Sequence, residues 1–174
     1  MEESPTAALI RPEPTGSASI AVVGRPRPFV DTLEHTLDTK ARLTLPAAVR
    51  PAFADGGVLM MWKGPCIAVL TDAGFERWIE HIKDVLPSSG YDDPGGHIRY
   101  AHSQASPFKP DVQGRFQLAD RLRFAAGIDR EVTVVGAGSR VELWNPATYG
   151  LDLGEFKQNI EFLQGTFDLL RDDA

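Results

Sequence analysis

His35–Arg50, HTLDTKARLTLPAAVR, decides how this chain is read, because its central phrase occurs again as Asp111–Arg123, DVQGRFQLADRLR. Both follow Asp-x-x-x-Arg-(apolar)-x-Leu. At an offset of 73, Asp38, Arg42, Leu43, Leu45 and Val49 match Asp111, Arg115, Phe116, Leu118 and Leu122. One inserted residue moves the offset to 74, where Gly64, Ile67, Val69, Asp72, Ala73 and Phe75 meet Gly138, Val141, Leu143, Pro146, Ala147 and Tyr149. The repeated apolar positions predict two copies of one unit: strand, short helical turn, hairpin and helix. A unit of about 50 residues buries too little alone, and two copies complete a core together.

Turn signals divide each copy. VLMMW (Val58–Trp62) and CIAVL (Cys66–Leu70) flank Lys63-Gly64-Pro65 and predict a hairpin. VTVVGAGSRVELW (Val132–Trp144) predicts the second. Asp72 is expected to cap a helix whose apolar face is Phe75, Trp78, Ile79, Ile82, Val85 and Leu86. Asn145-Pro146 is expected to open another, with Phe156, Ile160, Leu163, Phe167 and Leu170 on its face. The organisation expected is therefore a disordered arm over 1–29, a first half over 30–86, a linker over 87–107, a second half over 108–150, and a C-terminal helix with an acidic tail over 151–174. The arm holds five prolines, with Arg25 and Arg27 flanking Pro26 as a small basic feature. Leu86–His97, LPSSGYDDPGGH, carries the linker composition.

In 174 residues, 43% are hydrophobic and 24% charged, the balance of a soluble globular protein. No apolar run reaches the length of a membrane span, so the expected compartment is the cytoplasm. The single cysteine, Cys66, forms no internal disulfide and lies in an apolar strand, where a buried structural thiol is expected. His35, His81, His97 and His102 lack compact metal-ligand spacing, and Gly136-Ala137-Gly138 is followed by no Lys-Ser/Thr, so a turn explains it better than a phosphate loop. Acids and bases form no spacing that demands catalysis. We expect no catalytic residue, metal or cofactor, and no small-molecule ligand. The net charge of −6 opposes indiscriminate polyanion binding. It is uneven: six acids and two bases follow Leu151, whereas Asp111–Arg130 holds four arginines and three aspartates.

The tandem phrase, with a hairpin and helix after each copy, resembles the MraZ family of bacterial transcriptional regulators. The stretches that carry the resemblance are DTKARLTLPAAVR, GGVLMMWKGPCIAVLTDAGFERW, HIRYAHSQASPFKPDVQGR and EVTVVGAGSRVELWNPATY, over roughly residues 30–150. It implies a mainly β, α+β fold in which tandem AbrB-like (SpoVT-AbrB) half-units interlock their hairpins into a swapped-hairpin β-barrel with helices packed outside. It also implies ring-shaped homo-oligomers on double-stranded DNA carrying short G-containing direct repeats. In the family these lie upstream of the division and cell-wall gene cluster, which is repressed. The chain departs from the pattern at Ala41, where the motif has glycine, and at Ala119, where it has proline. Alanine is expected to resist the positive φ that glycine accepts at that position.

Chemistry assigns roles within the two phrases. Asp38 and Asp111 suit Asx-turns that aim the arginines. Lys40 and Arg42, two residues apart, are expected to leave one face of an extended segment. The planar fork of Arg42 fits guanine O6 and N7, and Lys40 fits a phosphate. Thr39, Gln113 and Arg115 complete the DNA-binding set, with lysine replaced by Gln113 in the second copy. Local sequence leaves an alternative open: Arg42 and Arg115 pairing with acids such as Glu34, in a protein-interaction module without specific DNA binding. Arg50, Arg121 and Arg123 are expected to be solvated.

Overall fold

The computed structural model describes residues 28–86 and 93–158. The first copy comprises β1 (Thr32–Thr36), β2 (Arg42–Thr44), a 3-10 turn (Arg50–Phe53), β3 (Gly57–Met61), β4 (Cys66–Leu70) and α1 (Asp72–Val85). After α2 (Pro94–Gln104), the second copy runs β5 (Ser106–Phe108), β6 (Arg115–Gln117), α3 (Asp120–Ala125), β7 (Glu131–Gly136), β8 (Val141–Trp144) and α4 (Pro146–Gln158). The order repeats as the sequence predicts, and the class is α+β with antiparallel pairing.

Six strands form one sheet in the order β1-β7-β8-β4-β3-β5, and β2 and β6 form a separate two-stranded ribbon. The copies exchange partners at both edges of the sheet. β1 of the first pairs with β7 of the second, and β5 of the second pairs with β3 of the first. Their hairpins meet at β4 and β8, where Ala68 lies opposite Glu142. The hydrogen-bonded order ends at β1 and β5, and among the described residues no pairing joins these two edges.

Side-chain alternation explains the layers. Ile67 and Val69 of β4 face a shared core with Leu43, Phe116, Val132 and Leu143, drawn from both copies. Ala68 and Leu70, on the other face of β4, pack under Phe75 and Ile79 of α1 and Ala101 of α2. Covered on both sides, all five residues of β4 are buried, so its sequence is continuously apolar rather than alternating.

Two expectations about local structure are corrected, and the expected linker carries a helix. The N-cap of α1 is Thr71, not Asp72: the threonine Oγ1 accepts the Gly74 N–H at 3.0 Å, and Asp72 stands inside the first turn as an anion at the positive helix end. On that helix Val85 is 45% exposed, because adjacent residues diverge by about 100° and Leu86 takes the inward direction. The span 87–107, read as linker from its composition, contains α2. Asp93 caps it by accepting the Gly96 N–H at 2.8 Å, and Pro94 occupies the first turn, where no N–H is needed.

Asn145 opens α4 as expected, its Oδ1 accepting the Ala147 N–H at 2.8 Å. The expected face from Phe156 to Leu170 lies outside the residues whose side chains are described, as do residues 1–27 with Arg25 and Arg27.

Leu43 is fully buried while its neighbour Thr44 is exposed. Leu43→Ala should therefore lower unfolding free energy by about 2–5 kcal/mol in urea titrations, and Thr44→Ala should change it by less than about 0.5 kcal/mol.

Candidate nucleic-acid interface

Each arginine begins a ribbon strand just after a tight turn built by an aspartate four residues earlier. In the first turn Asp38 Oδ1 accepts the backbone N–H groups of Lys40 at 2.8 Å and Arg42 at 2.9 Å. Its Oδ2 accepts from Arg42 Nε and pairs with Nη2, both at 2.7 Å. In the second turn Asp111 Oδ1 accepts from the N–H groups of Gln113 at 2.9 Å and Arg115 at 3.0 Å. Its Oδ2 takes Arg115 Nε at 2.8 Å and Nη2 at 2.7 Å. One carboxylate thus shapes each turn and holds one edge of the guanidinium, and among the described residues the other edge of the fork has no partner. The expected Asx role is present. The acid that pairs with each arginine is this local aspartate, not Glu34, which instead accepts from Thr133 Oγ1 at 3.0 Å.

The same bonds hold both carboxyls well below the ordinary range. For Asp38, down to about 2, the largest cause is the Arg42 backbone N–H, followed by its side chain. For Asp111, also about 2, the Arg115 side chain comes first and its backbone N–H second. A carboxyl depressed by folding contributes stability above its unfolded pKa of about 3.9, and loses that contribution as pH falls through the folded value. Both clamps are therefore fully ionised at neutral pH; their contribution to stability fades below about pH 4, and the clamps themselves are protonated as pH falls through about 2.

Both turns close through a left-handed residue. Ala41 has φ 55° and Gly114 φ 78°. Alanine thus adopts the conformation it was expected to resist. The closing bonds are present in both turns: Ala41 N–H to Asp38 O at 2.9 Å and Gly114 N–H to Asp111 O at 2.8 Å. The carbonyl of each left-handed residue then crosses to the other copy. Ala41 O accepts from Leu118 N–H at 3.1 Å, and Gly114 O accepts from Leu45 N–H at 2.8 Å. Each turn is fastened by the copy to which it does not belong.

These ties bring the two arginines together. The ribbon pairs Arg42 with Gln117, Leu43 with Phe116, and Thr44 with Arg115. Leu43 and Phe116 point into the core, so Arg42, Thr44, Arg115 and Gln117 share the outward face. Thr39 and Lys40 lie at the exposed tip of the first turn and Gln113 at that of the second. Lys40 and Arg42 do not leave one strand face as expected, since the turn and the left-handed Ala41 separate them. Thr44 and Gln117 escaped the sequence reading: they sit at the unspecified x of the phrase, and only the cross-strand register places them beside the arginines.

Of the three arginines expected to be solvated, Arg121 is exposed, whereas Arg50 and Arg123 are half-buried. Arg50 donates from Nη2 to Leu45 O at 3.0 Å and lies against Gly114. Arg123 reaches the carbonyls of Ile128 and Asp129, and Arg121 those of Gln104 and Ala105. Carbonyls left over at loop and helix ends attract the many donors of a guanidinium, which explains the correction.

Cys66 is buried in β4, and burial pushes its thiol up to about 12, with the charge of Glu142 adding to the rise. That makes it a poor nucleophile at neutral pH. His97 and His102 share α2 five residues apart, about 140° around the helix, so they diverge. Among the described residues no group of three His, Cys, Asp or Glu side chains is placed to hold a metal, and no helix is long and apolar enough to cross a membrane.

Two copies of one unit, exchanging strands so that both present a carboxylate-held arginine on one ribbon, define a tandem-repeat protein with a paired-arginine face. Residues 102–161 match the family model described as "MraZ protein, putative antitoxin-like". The chain is 39% identical over 142 residues to the transcriptional regulator MraZ of Micrococcus luteus, covering 82% of this chain and 96% of the relative. It is 41% identical over 121 residues to that of Kocuria rhizophila (70% and 83%). Against that of Saccharopolyspora erythraea it is 35% identical over 146 residues (80% and 99%). The chain belongs to the MraZ family.

The left-handed positions respond oppositely to one methyl group. Ala41→Gly should raise unfolding free energy by roughly 0.5–1 kcal/mol, the relieved strain exceeding the added unfolded-chain entropy. Gly114→Ala should lower it by about 1–3 kcal/mol. A Cβ there would stand 2.4 Å from Arg50 Nε. Paired chemical denaturation curves measure both.

Proposed function

We propose that this chain is a sequence-specific DNA-binding transcriptional regulator. It binds short G-containing direct repeats as a ring-shaped homo-oligomer, associates with the nucleoid and represses the division and cell-wall gene cluster. The observation that carries the reading is the ribbon, whose outward face presents Arg42 and Arg115 together. A two-stranded ribbon fits the major groove, and an arginine fork matches guanine O6 and N7. Lys40 and Thr39 beside the first arginine, and Gln113 beside the second, are suited to phosphate and base-edge hydrogen bonds. Family membership supports the regulatory role, since the relatives above carry that name. The exchange of strands between copies supports the swapped-hairpin barrel that the family resemblance implies.

A ring reconciles DNA binding with a net charge of −6. One chain makes few phosphate contacts, but subunits engaging successive repeats raise the effective concentration of each later contact, so avidity grows by roughly 10²–10⁴. The ion pairs to Asp38 and Asp111 favour a second reading, in which the arginines only rigidify their turns and the chain is a non-catalytic protein-interaction module.

Removing the first fork separates the two. Arg42→Ala should weaken binding to a repeat-bearing duplex by roughly 10- to 100-fold in gel shifts while elution as an oligomer is unchanged. Unaltered affinity would establish the interaction module instead. A probe with one repeat should bind far more weakly than a probe with several, and affinity should fall steeply with salt.

A further inference from the structure

Thr44 and Gln117 occupy corresponding positions in the two copies but differ in chemistry. Both are exposed, and both share the outward ribbon face with the arginines, since residues two apart in a strand point the same way. Gln117 stands directly opposite Arg42, and Thr44 directly opposite Arg115. The ladder bonds from Leu45 N–H to Gly114 O and from Leu118 N–H to Ala41 O flank these pairs. Both pairs therefore fall between hydrogen-bonded positions, where opposed Cα atoms are about 4.5 Å apart and side chains lie closest.

Along the ribbon the two pairs are two residues, or about 7 Å, apart. Two base-pair steps of B-DNA span about the same distance. The face thus presents two reading heads at the spacing of base pairs, each an arginine with one polar companion. Among the described residues neither the Thr44 hydroxyl nor the Gln117 amide has a hydrogen-bond partner, so both are available to a ligand. Asp38 and Asp111 hold one edge of each fork, which fixes where the free edge meets a guanine and hence which neighbouring base the companion reaches.

Resting on the DNA-reading function above, we infer that Thr44 and Gln117 are specificity-determining residues. Gln117 reads an adenine beside the guanine taken by Arg42, and Thr44 reads a thymine beside the guanine taken by Arg115. The glutamine amide supplies the donor and acceptor that match adenine N7 and N6, and threonine supplies a methyl and a hydroxyl for the thymine methyl and O4. Identical companions would make the two heads read alike and leave polarity to the turns alone. The Gln/Thr difference makes one chain's site directional, which suits repeats arranged head to tail.

Selection from a randomised duplex library by the full-length chain tests this, comparing wild type with Thr44→Ala, Gln117→Ala, Gln117→Glu and Arg42→Ala. Gln117→Ala should lose its adenine preference, by roughly 5- to 100-fold relative to other bases, and keep the guanines. Gln117→Glu should shift that position to cytosine, whose N4 donates to a carboxylate. Thr44→Ala should lose preference at the thymine alone. Motifs unchanged in all three companion variants would overturn the inference and leave the DNA-reading function standing. So would loss of all binding by companion variants that still melt and elute like wild type. If wild type selects no motif, or Arg42→Ala keeps the full one, the DNA-reading function itself falls and this inference with it.

Discussion

Leu43 and Phe116 oppose each other across the ribbon, 0% and 2% exposed, and most of the geometry outside them is a consequence. Side chains in a strand alternate, so a slip of one residue would exchange the faces of the whole ribbon. It would drive Arg42 or Arg115 into a core of leucines and valines, at the cost of a buried unpaired charge. The register is thus fixed from inside by two hydrophobic side chains, and the arginines are placed outside without depending on each other. Ladder bonds from Leu45 and Leu118 then secure the turns at both ends, each from the opposite copy. A single copy would have the phrase but neither the partner strand nor the tie.

The clamps set how firmly the arginines are aimed. With side chains of Arg42 and Asp38 about one-third exposed, their ion pair is screened by water, and its main contribution is orientation rather than stability. A rigid fork loses less conformational entropy on meeting a guanine than a free one, which favours discrimination. The carboxylate also lowers the positive field that a bare arginine would offer to any phosphate. Both effects weaken indiscriminate contact relative to a well-placed one, in keeping with an acidic chain.

Much of this architecture was legible in the sequence because it rests on residue identity at fixed spacing. The duplicated phrase, both hairpins and the Asn145-Pro146 helix start depend on apolar periodicity and turn chemistry, which are local. Thr71 was missed as a cap since Asp72 is an equally good capping residue one position later, and only backbone geometry separates them. α2 was hidden by Gly95 and Gly96, poor helix formers that are tolerated behind the Asp93 cap and the first-turn Pro94. It is held by burying Ala101 and by His102 meeting Phe75 edge-on, contacts no local pattern announces. The pairing of Asp38 with Arg42 spans four residues and was within reach of local reasoning. The companionship of Arg42 and Gln117 links positions 75 apart and needed the register.

Duplication produced two equivalent turns, and the differences between them now matter more than the likeness. The first turn has Lys40 and Ala41, and the second Gln113 and Gly114. Lysine adds a flexible charge, whereas alanine at φ 55° strains the turn that carries it. The second turn has no such charge, but its glycine accepts the left-handed conformation without strain and gives Arg50 room beneath it. One side of the ribbon is therefore better suited to phosphate attraction, and the other to a relaxed, firmly supported fork. A protein whose two sides differ in this way fits a duplex best in one orientation. On the proposed ring, that polarity would let successive subunits meet successive direct repeats in the same sense.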